Sequence, residues 1–308
     1  MNACIRAIVR TALHHRLTVY GIMHGYQGMI DDQFKLLGSD DVGNIIQRGG
    51  TILKSSRSKD FLTEAGRQKA FNNLKKRGIQ GIIAIGGDGT FAGAKVFTEE
   101  HQIPFIGLPG TIDNDLIGTD YTIGYDTALN NVLNAVDKIK DTAASHDRLF
   151  FVEVMGKDAG FIALRSGIGI GAAAILIPEV HTDLQGLISN LDAAYKRKKT
   201  SSIIIVAEGD DAGGAYSIAK KVVAALPQYD TRVSILGHQQ RGGSPSAMDR
   251  MLASQLGYEA VNSILAGKHS VMVGIVNKEV CYTPFEQAIK HHDKVNTDFL
   301  KLADILAA

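Results

Sequence analysis

Two short stretches carry carboxylates in settings that suit phosphate chemistry. The first, Gly86-Gly87-Asp88-Gly89-Thr90, follows the apolar run 81–85 and opens a segment of helical period. Glycines there let backbone N–H groups and a helix N-terminus approach phosphate oxygens, while Asp88 can hold a Mg²⁺ ion. The plainer reading is a tight strand-to-helix turn with Asp88 as N-cap. Two glycines and a following Thr exceed what a cap requires. The second stretch, Pro109-Gly110-Thr111-Ile112-Asp113-Asn114-Asp115, follows the apolar run 104–108. Carboxylates separated by one residue can divide labour, one accepting a hydroxyl proton and the other orienting the pair or contacting metal. Asp and Asn are common turn formers. The weight of this stretch comes from its place one strand–helix unit after the first, and the pairing is what phosphoryl transfer needs.

A third set is cationic and polar: Arg148, Met155-Gly156-Lys157, Glu208, Arg232 and His238-Gln239-Gln240-Arg241-Gly242-Gly243-Ser244-Pro245. Each follows, begins or flanks an apolar run, and Arg forks suit a phosphorylated substrate. Singly, each has a plain reading as a solvated surface charge. His238 after Leu236-Gly237 reads in isolation as a core histidine. Lys196-Arg197-Lys198-Lys199 reads as an exposed helix end favoured by its dipole.

The elements that must position these residues are short β-branched runs at 81–85, 104–108, 149–154, 172–177, 202–207, 233–236 and 271–276. Segments of helical period lie at 63–77, 90–101, 127–144, 184–198, 215–226 and 246–266. Strand followed by helix, repeated, predicts an α/β fold of doubly wound, mostly parallel sheets. Ligands then sit beyond the carboxyl ends of the strands, where the three sets fall. The 308 residues suit two domains, with the first block ending near residue 123. A net charge of +1 gives no pull towards nucleic acid or an anionic membrane. No apolar run reaches the roughly 18–20 residues of a bilayer span. Two cysteines without a C-x-x-C pair fit a reducing compartment, with cytoplasm as the default. Arg6, Arg10 and Arg16, with no acid in the first thirty residues, also admit a transit-peptide reading. Glycine, at 33 of 308, exceeds the usual share of about 7% and predicts close backbone approaches.

The chain closely resembles bacterial ATP-dependent phosphofructokinases of the A type. The resemblance rests on Gly49-Gly50-Thr51 through Arg57, residues 86–90 and 109–115, Gly118-Thr119-Asp120-Tyr121-Thr122-Ile123-Gly124, Val152-Glu153-Val154-Met155-Gly156, Ala207-Glu208-Gly209 and residues 236–245, in order and with family-like spacing. It implies two Rossmann-like domains, residues 1–123 with about 239–289 binding ATP and 124–238 with about 290–308 binding fructose 6-phosphate, with the active site in the cleft between them. Asp113 would be the general base for the sugar C1 hydroxyl, supported by Thr111 and Asp115. Asp88 would bind Mg²⁺, Ser58, Gly87, Gly89 and Thr90 would line the ATP site, and Arg57 would stabilise charge on the transferring phosphate. Ile112, Met155, Gly156, Lys157, Glu208, His238, Gln239, Gln240 and Arg241 would line the sugar phosphate pocket. Arg148 and Arg232 would reach it from a neighbouring subunit of a homotetramer. Pyrophosphate-using relatives carry Asp at the position of Gly89 and Lys near Asp115, so this chain resembles the ATP users.

Some positions depart from the family pattern. A leading strand and a Ser-Gly-Gly-Asp-Ala-Pro-Gly loop that usually precede Met1 are not in the sequence, which predicts two exposed strand edges in the first domain. Arg6, Arg10, Lys140, Lys196, Lys198 and Lys199 resemble effector-site cations. Ser39 and Asp40 replace an Arg-Tyr pair, Lys140 an Arg, and Ala173 a metal-binding Glu, so blunted or altered activation by ADP is expected. Lys157 replaces an Arg, exchanging a fork for a point charge. Two other readings remain at this stage. One is an NAD-kinase-like phosphotransferase, which shares the glycine motif but needs an Asn-Glu or similar adenosine-binding pair after it. The other is a non-catalytic subunit that binds nucleotide or sugar phosphate.

Overall fold

A computed structural model describes residues 1–198, 202–289 and 295–307, without the side chain of residue 144. In chain order the elements are α1 (Asn2–His14), β1 (Tyr20–Ile22), α2 (Gly25–Ile30), β2 (Phe34–Leu36), α3 (Glu64–Lys76), β3 (Ile82–Gly86), α4 (Asp88–His101) and β4 (Phe105–Pro109). There follow α5 (Tyr125–Ser145), β5 (Arg148–Val154), α6 (Phe161–Gly169), β6 (Ala174–Leu176), α7 (Leu184–Lys196), β7 (Ser202–Ala207), α8 (Ala215–Ala225) and β8 (Asp230–Ile235). The chain ends with α9 (Ala247–Leu265), β9 (Val271–Val276), β10 (Glu279–Pro284), α10 (Phe285–Ala288) and α11 (Asp298–Ala307). Two compact units result. One holds Met1–Thr111, Leu116–Gly124 and the stretch from Gly243 to residue 289; the other holds Ile112–Asp115, Tyr125–Gly242 and residues 295–307.

The first unit is built on a sheet of order β10-β9-β4-β3, parallel except for β10. The β9–β10 turn is Asn277-Lys278, both at positive φ (51° and 71°), as a two-residue hairpin requires. β1 and β2 pair antiparallel in a separate two-stranded sheet, and β3 is an edge strand whose Ile83, Ala84 and Ile85 stay half-buried. An aromatic core joins Phe61, Phe91, Phe97, Phe105 and Phe285, all 4% exposed or less. A second core lies between α1, α9 and the sheet, around Cys4, Ile106, Leu108, Leu256 and Val273. Helix starts follow their caps: Thr63 Oγ1 accepts the Gly66 N–H at 3.1 Å and Ser246 Oγ accepts the Asp249 N–H at 3.2 Å.

The second unit is a fully parallel sheet of order β6-β7-β5-β8. Every residue of β7, Ser-Ile-Ile-Ile-Val-Ala, is buried, which explains its unbroken apolar run. α7 and α8 cover one face through Leu187, Leu191, Ile218 and Val222 against Leu149, Phe151, Ile204 and Val206. α5 and α6 also pack on β5 and β7. β8 starts at Asp230 rather than at Val233, so Arg232 lies inside a strand instead of flanking it. The polar sequence at the start of β8 hides a strand because its outer residues are solvated on a sheet edge.

Candidate active site

The two carboxylate-bearing stretches leave neighbouring parallel strands of the first unit at the same level, and residues Ile112–Asp115 of the second stretch are grouped with the other unit. Gly86 at the end of β3 pairs with Pro109 at the end of β4, and the Gly110 N–H extends the ladder to the Gly86 carbonyl at 2.9 Å. A Cβ on Gly110 would lie 2.8 Å from Ile85 Cγ2, so only glycine lets the second loop start this close. Gly87 is the N-cap of α4 and Asp88 its first residue, which places the carboxylate and the helix N-terminus together. A Cβ on Gly89 would meet nothing within 4 Å, so the helix start opens onto free space there. Asp113 is half-buried with its Oδ1 shielded from solvent, and Asn114 adopts a left-handed φ of 55°. The Thr122 hydroxyl donates to the Thr111 carbonyl at 2.7 Å, and Ile123 N–H to Pro109 O at 2.8 Å, fixing the root of this loop.

The approach to the glycine loop is ordered in part by Asn2 and Tyr26, which the sequence did not single out. Buried Asn2 donates to the carbonyls of Arg48 and Gly49 at 3.1 Å each and accepts the Ile52 N–H at 2.8 Å, clamping the Gly49-Gly50-Thr51 turn. Tyr26 stacks on Phe61 at 3.9 Å, and its hydroxyl donates to the Thr90 carbonyl at 2.6 Å. Burial pushes the Tyr26 phenol well above its ordinary range, so it stays a donor. Ser58 donates to Gln27 at 2.8 Å and accepts the Phe61 N–H, and Arg57 beside it is exposed. Asn2 and Tyr26 act on partners 46 and 64 positions away, which no local pattern signals.

In the second unit the loops after β5, β7 and β8 form one bonded belt beyond the carboxyl ends of their strands. Glu208, exposed after β7, accepts the N–H groups of Gly156 at 3.3 Å and Lys157 at 2.7 Å through Oε1. Gly156 sits at φ 147°, and a Cβ there would approach Ala159 O to 2.4 Å. Met155 is buried while Lys157 is exposed. His238 is exposed in the turn 237–241, which overturns the core-histidine reading, and Gln239 and Arg241 are exposed beside it. Gln240 differs from expectation. It is buried, its Oε1 accepting Met155 N–H at 3.2 Å and its Nε2 donating to Gly237 O at 3.0 Å, so it joins two loops rather than facing a ligand.

Arg148 lies at the opposite end of this sheet, and Arg232 lies midway along its edge strand β8. Arg148 opens β5 and pairs in register with Asp230; Arg232 pairs with Phe150. Of the effector-like cations, Arg10 and Lys198 are exposed and Arg6 is half-buried. Lys140 Nζ donates to the Ile170 carbonyl and Lys196 pairs with Asp192 at 2.6 Å, while Lys199 lies outside the described residues. No described helix is long and apolar enough to cross a membrane.

A family profile described as Phosphofructokinase matches residues 1–264. ATP-dependent 6-phosphofructokinase 2 of Bacteroides thetaiotaomicron is 53% identical over 302 residues, covering 98% of this chain and 93% of that protein. The ATP-dependent 6-phosphofructokinase of Cytophaga hutchinsonii is 54% identical over 306 residues, covering 99% and 93%. The solved structure of phosphofructokinase from Saccharomyces cerevisiae matches with a TM-score of 0.89 and 32% identity over 94% of this chain, which spans 43% of the yeast chain. Paired loops on adjacent strands and likeness along nearly the whole length have one common explanation: the chain belongs to the phosphofructokinase family.

Proposed function

We propose that this chain transfers the γ-phosphoryl group of ATP to the C1 hydroxyl of fructose 6-phosphate, giving fructose 1,6-bisphosphate and ADP in the glycolysis of the cytoplasm. The observation that carries this reading is the family membership together with the in-register departure of the two loops from β3 and β4. Asp113 accepts the C1 hydroxyl proton as that oxygen attacks the γ-phosphorus, and the bond to the ADP oxygen breaks in line. Thr111 and Asp115 support Asp113. The N–H groups of Gly87 and Gly89, Thr90 and the α4 N-terminus face the ATP phosphates, with Ser58 and Arg57 beside them. Arg57 neutralises charge that develops on the transferring group.

Among the described residues no three His, Cys, Asp or Glu side chains gather as a metal cage. A single carboxylate, Asp88, in an open glycine loop suits Mg²⁺, which is held by one or two carboxylates and completed by phosphate oxygens and water. When bound there it would supply charge neutralisation on the phosphates.

The sugar phosphate is held by the belt of Gly156, Lys157, Glu208, His238 and Arg241, with Ile112, Met155 and Gln239 at its margins. Arg148 is set apart from this belt in its own chain, because the seven residues of β5 put its ends about 20 Å apart, and Arg232 is held towards Arg148 by the Asp230 carboxylate that both arginines share. β8 is an edge strand, and an open groove of about 480 Å³ beside it is lined by Asn131, Lys138, Ser234, Ile235 and Gln239. Two β8 edges meeting antiparallel about a twofold axis would bring Arg148 and Arg232 of one copy towards the 236–241 loop of the other. This geometry supports an assembly with shared sites, a homotetramer in our reading. Ala173 in place of a carboxylate supports weak ADP activation, seen as a flat activity titration with ADP.

The test is a coupled assay of ATP- and Mg²⁺-dependent phosphorylation of fructose 6-phosphate. Asp113→Asn is expected to lose about 10²–10⁴-fold in turnover, the usual share of a general base. Full turnover in that variant would overturn the role of Asp113. Phosphorylation of NAD instead of the sugar phosphate would overturn the substrate.

A further inference from the structure

Three charged side chains meet at the amino-terminal end of the second unit's sheet. Asp230 and Arg232 are two residues apart in β8, so they share a face, and Arg148 of β5 lies opposite Asp230 in register. Asp230 gives one oxygen to each cation: Oδ2 accepts Arg148 Nε at 2.8 Å and Oδ1 accepts Arg232 Nη1 at 2.5 Å. Arg232 Nη1 also donates to the Thr231 carbonyl at 3.0 Å. Among the described residues these bonds leave both Nη atoms of Arg148 and the Nη2 of Arg232 for another anion. All three side chains reach solvent, at 25% (Arg148), 43% (Asp230) and 49% (Arg232) exposure. Arg148, ahead of Arg232, holds the Asp230 carboxyl below the usual carboxylate range, so the bridge persists at neutral pH.

We propose that Asp230 is a positioning residue that aligns the guanidiniums of Arg148 and Arg232 into one receptor for the phosphate group of fructose 6-phosphate bound by a second copy of the chain. The proposal rests on the shared-site reading above. Two effects oppose each other. The carboxylate repels a phosphate dianion, but its charge is already engaged by two cations and exposed to screening. Without it, two rotamer-rich side chains must be ordered by the ligand itself, at a cost in affinity. Ordering wins here because one carboxylate fixes both forks at once, which a neutral amide cannot do with charge-assisted bonds.

The experiment measures fructose 6-phosphate binding to the assembled protein by calorimetry, and KM and kcat alongside. Asp230→Asn should weaken fructose 6-phosphate binding about tenfold, with kcat, the ATP KM and the mass of the assembly unchanged. Asp230→Glu should recover part of the loss. Arg148→Ala should lose less in the Asp230→Asn background than alone, because the two act together. Equal or tighter binding by Asp230→Asn overturns the proposal, as does dissociation of that variant, since Asp230 would then hold the interface rather than the forks. If Arg148→Ala and Arg232→Ala bind normally, the shared-site reading falls and the proposal with it. If those two weaken binding while Asp230→Asn does not, only the proposal falls.

Discussion

At the scale of single residues, the site depends on where side chains are absent as much as on where they are present. Gly89 opens onto free space at the start of α4, so Gly89→Asp fits the fold but sets a second negative charge beside Asp88 where the ATP phosphates would lie. The expected outcome is an unchanged thermal midpoint with an ATP KM raised tenfold or more, on the order of a close like-charge contact; steady-state kinetics and a melting curve check both halves. Gly156 is the opposite case. A Cβ there has no space at 2.4 Å from the Ala159 carbonyl, so Gly156→Ala should move the loop that donates to Glu208 and raise the fructose 6-phosphate KM with little change for ATP.

At the scale of elements, α3 and α4 are joined by the Arg67–Glu100 pair, with two bonds of 2.6 Å, and by His101 stacked on Phe71 at 4.3 Å. The Arg67 guanidinium holds the Glu100 carboxyl below its usual range. Burial, more than any charge, holds His101 below its ordinary 6.5. Both groups have folded pKa values below their unfolded ones, so each stabilises the fold above the unfolded value and loses that contribution as pH falls through the folded one. The thermal midpoint should therefore fall as pH drops below 6.5, where protonation of His101 begins, and further in the acid range of Glu100. Among the described residues His101 Nε2 has no hydrogen-bond partner, so His101→Phe keeps the stack and should remove the first part of this decline. A pH series of melting curves for the two proteins distinguishes the steps. Element type was legible wherever burial was one-sided or complete, as in β7 and α9. It was hidden in α6, where Ile162, Ala163, Leu164, Ser166 and Gly167 are all buried and no polar face marks the helical period. It was hidden too in β1 and β2, three residues each, which are too short to show alternation.

At the scale of the whole molecule, the opposite placement of Arg148 and Glu208 along the parallel sheet predicts complementation between subunits. An Arg148→Ala/Arg232→Ala double variant and an Asp113→Asn variant, each impaired alone, should regain activity when mixed, because one mixed arrangement contains a complete site. Activity of the mixture equal to the mean of its parts would show that each chain uses its own arginines.

By itself the sequence determined the family and pointed to the chemistry: carboxylates and glycines stand at the ends of apolar runs, a spacing that suggests a phosphate site before any packing detail is known. It also determined the strands buried on both faces, such as β7, because their β-branched residues leave an unbroken apolar signal. Only the tertiary structure decided which of the expected contacts are open to a ligand. Gln240 is turned inward and His238 outward, although they are two residues apart, because the 237–241 turn packs against Met155 on one side only. It also decided that Asp230 of β8 reaches Arg148 of β5 and that Asn2 clamps the Gly49-Gly50 turn, since these partners are 82 and 46 or more positions apart and meet only when sheets and helices pack.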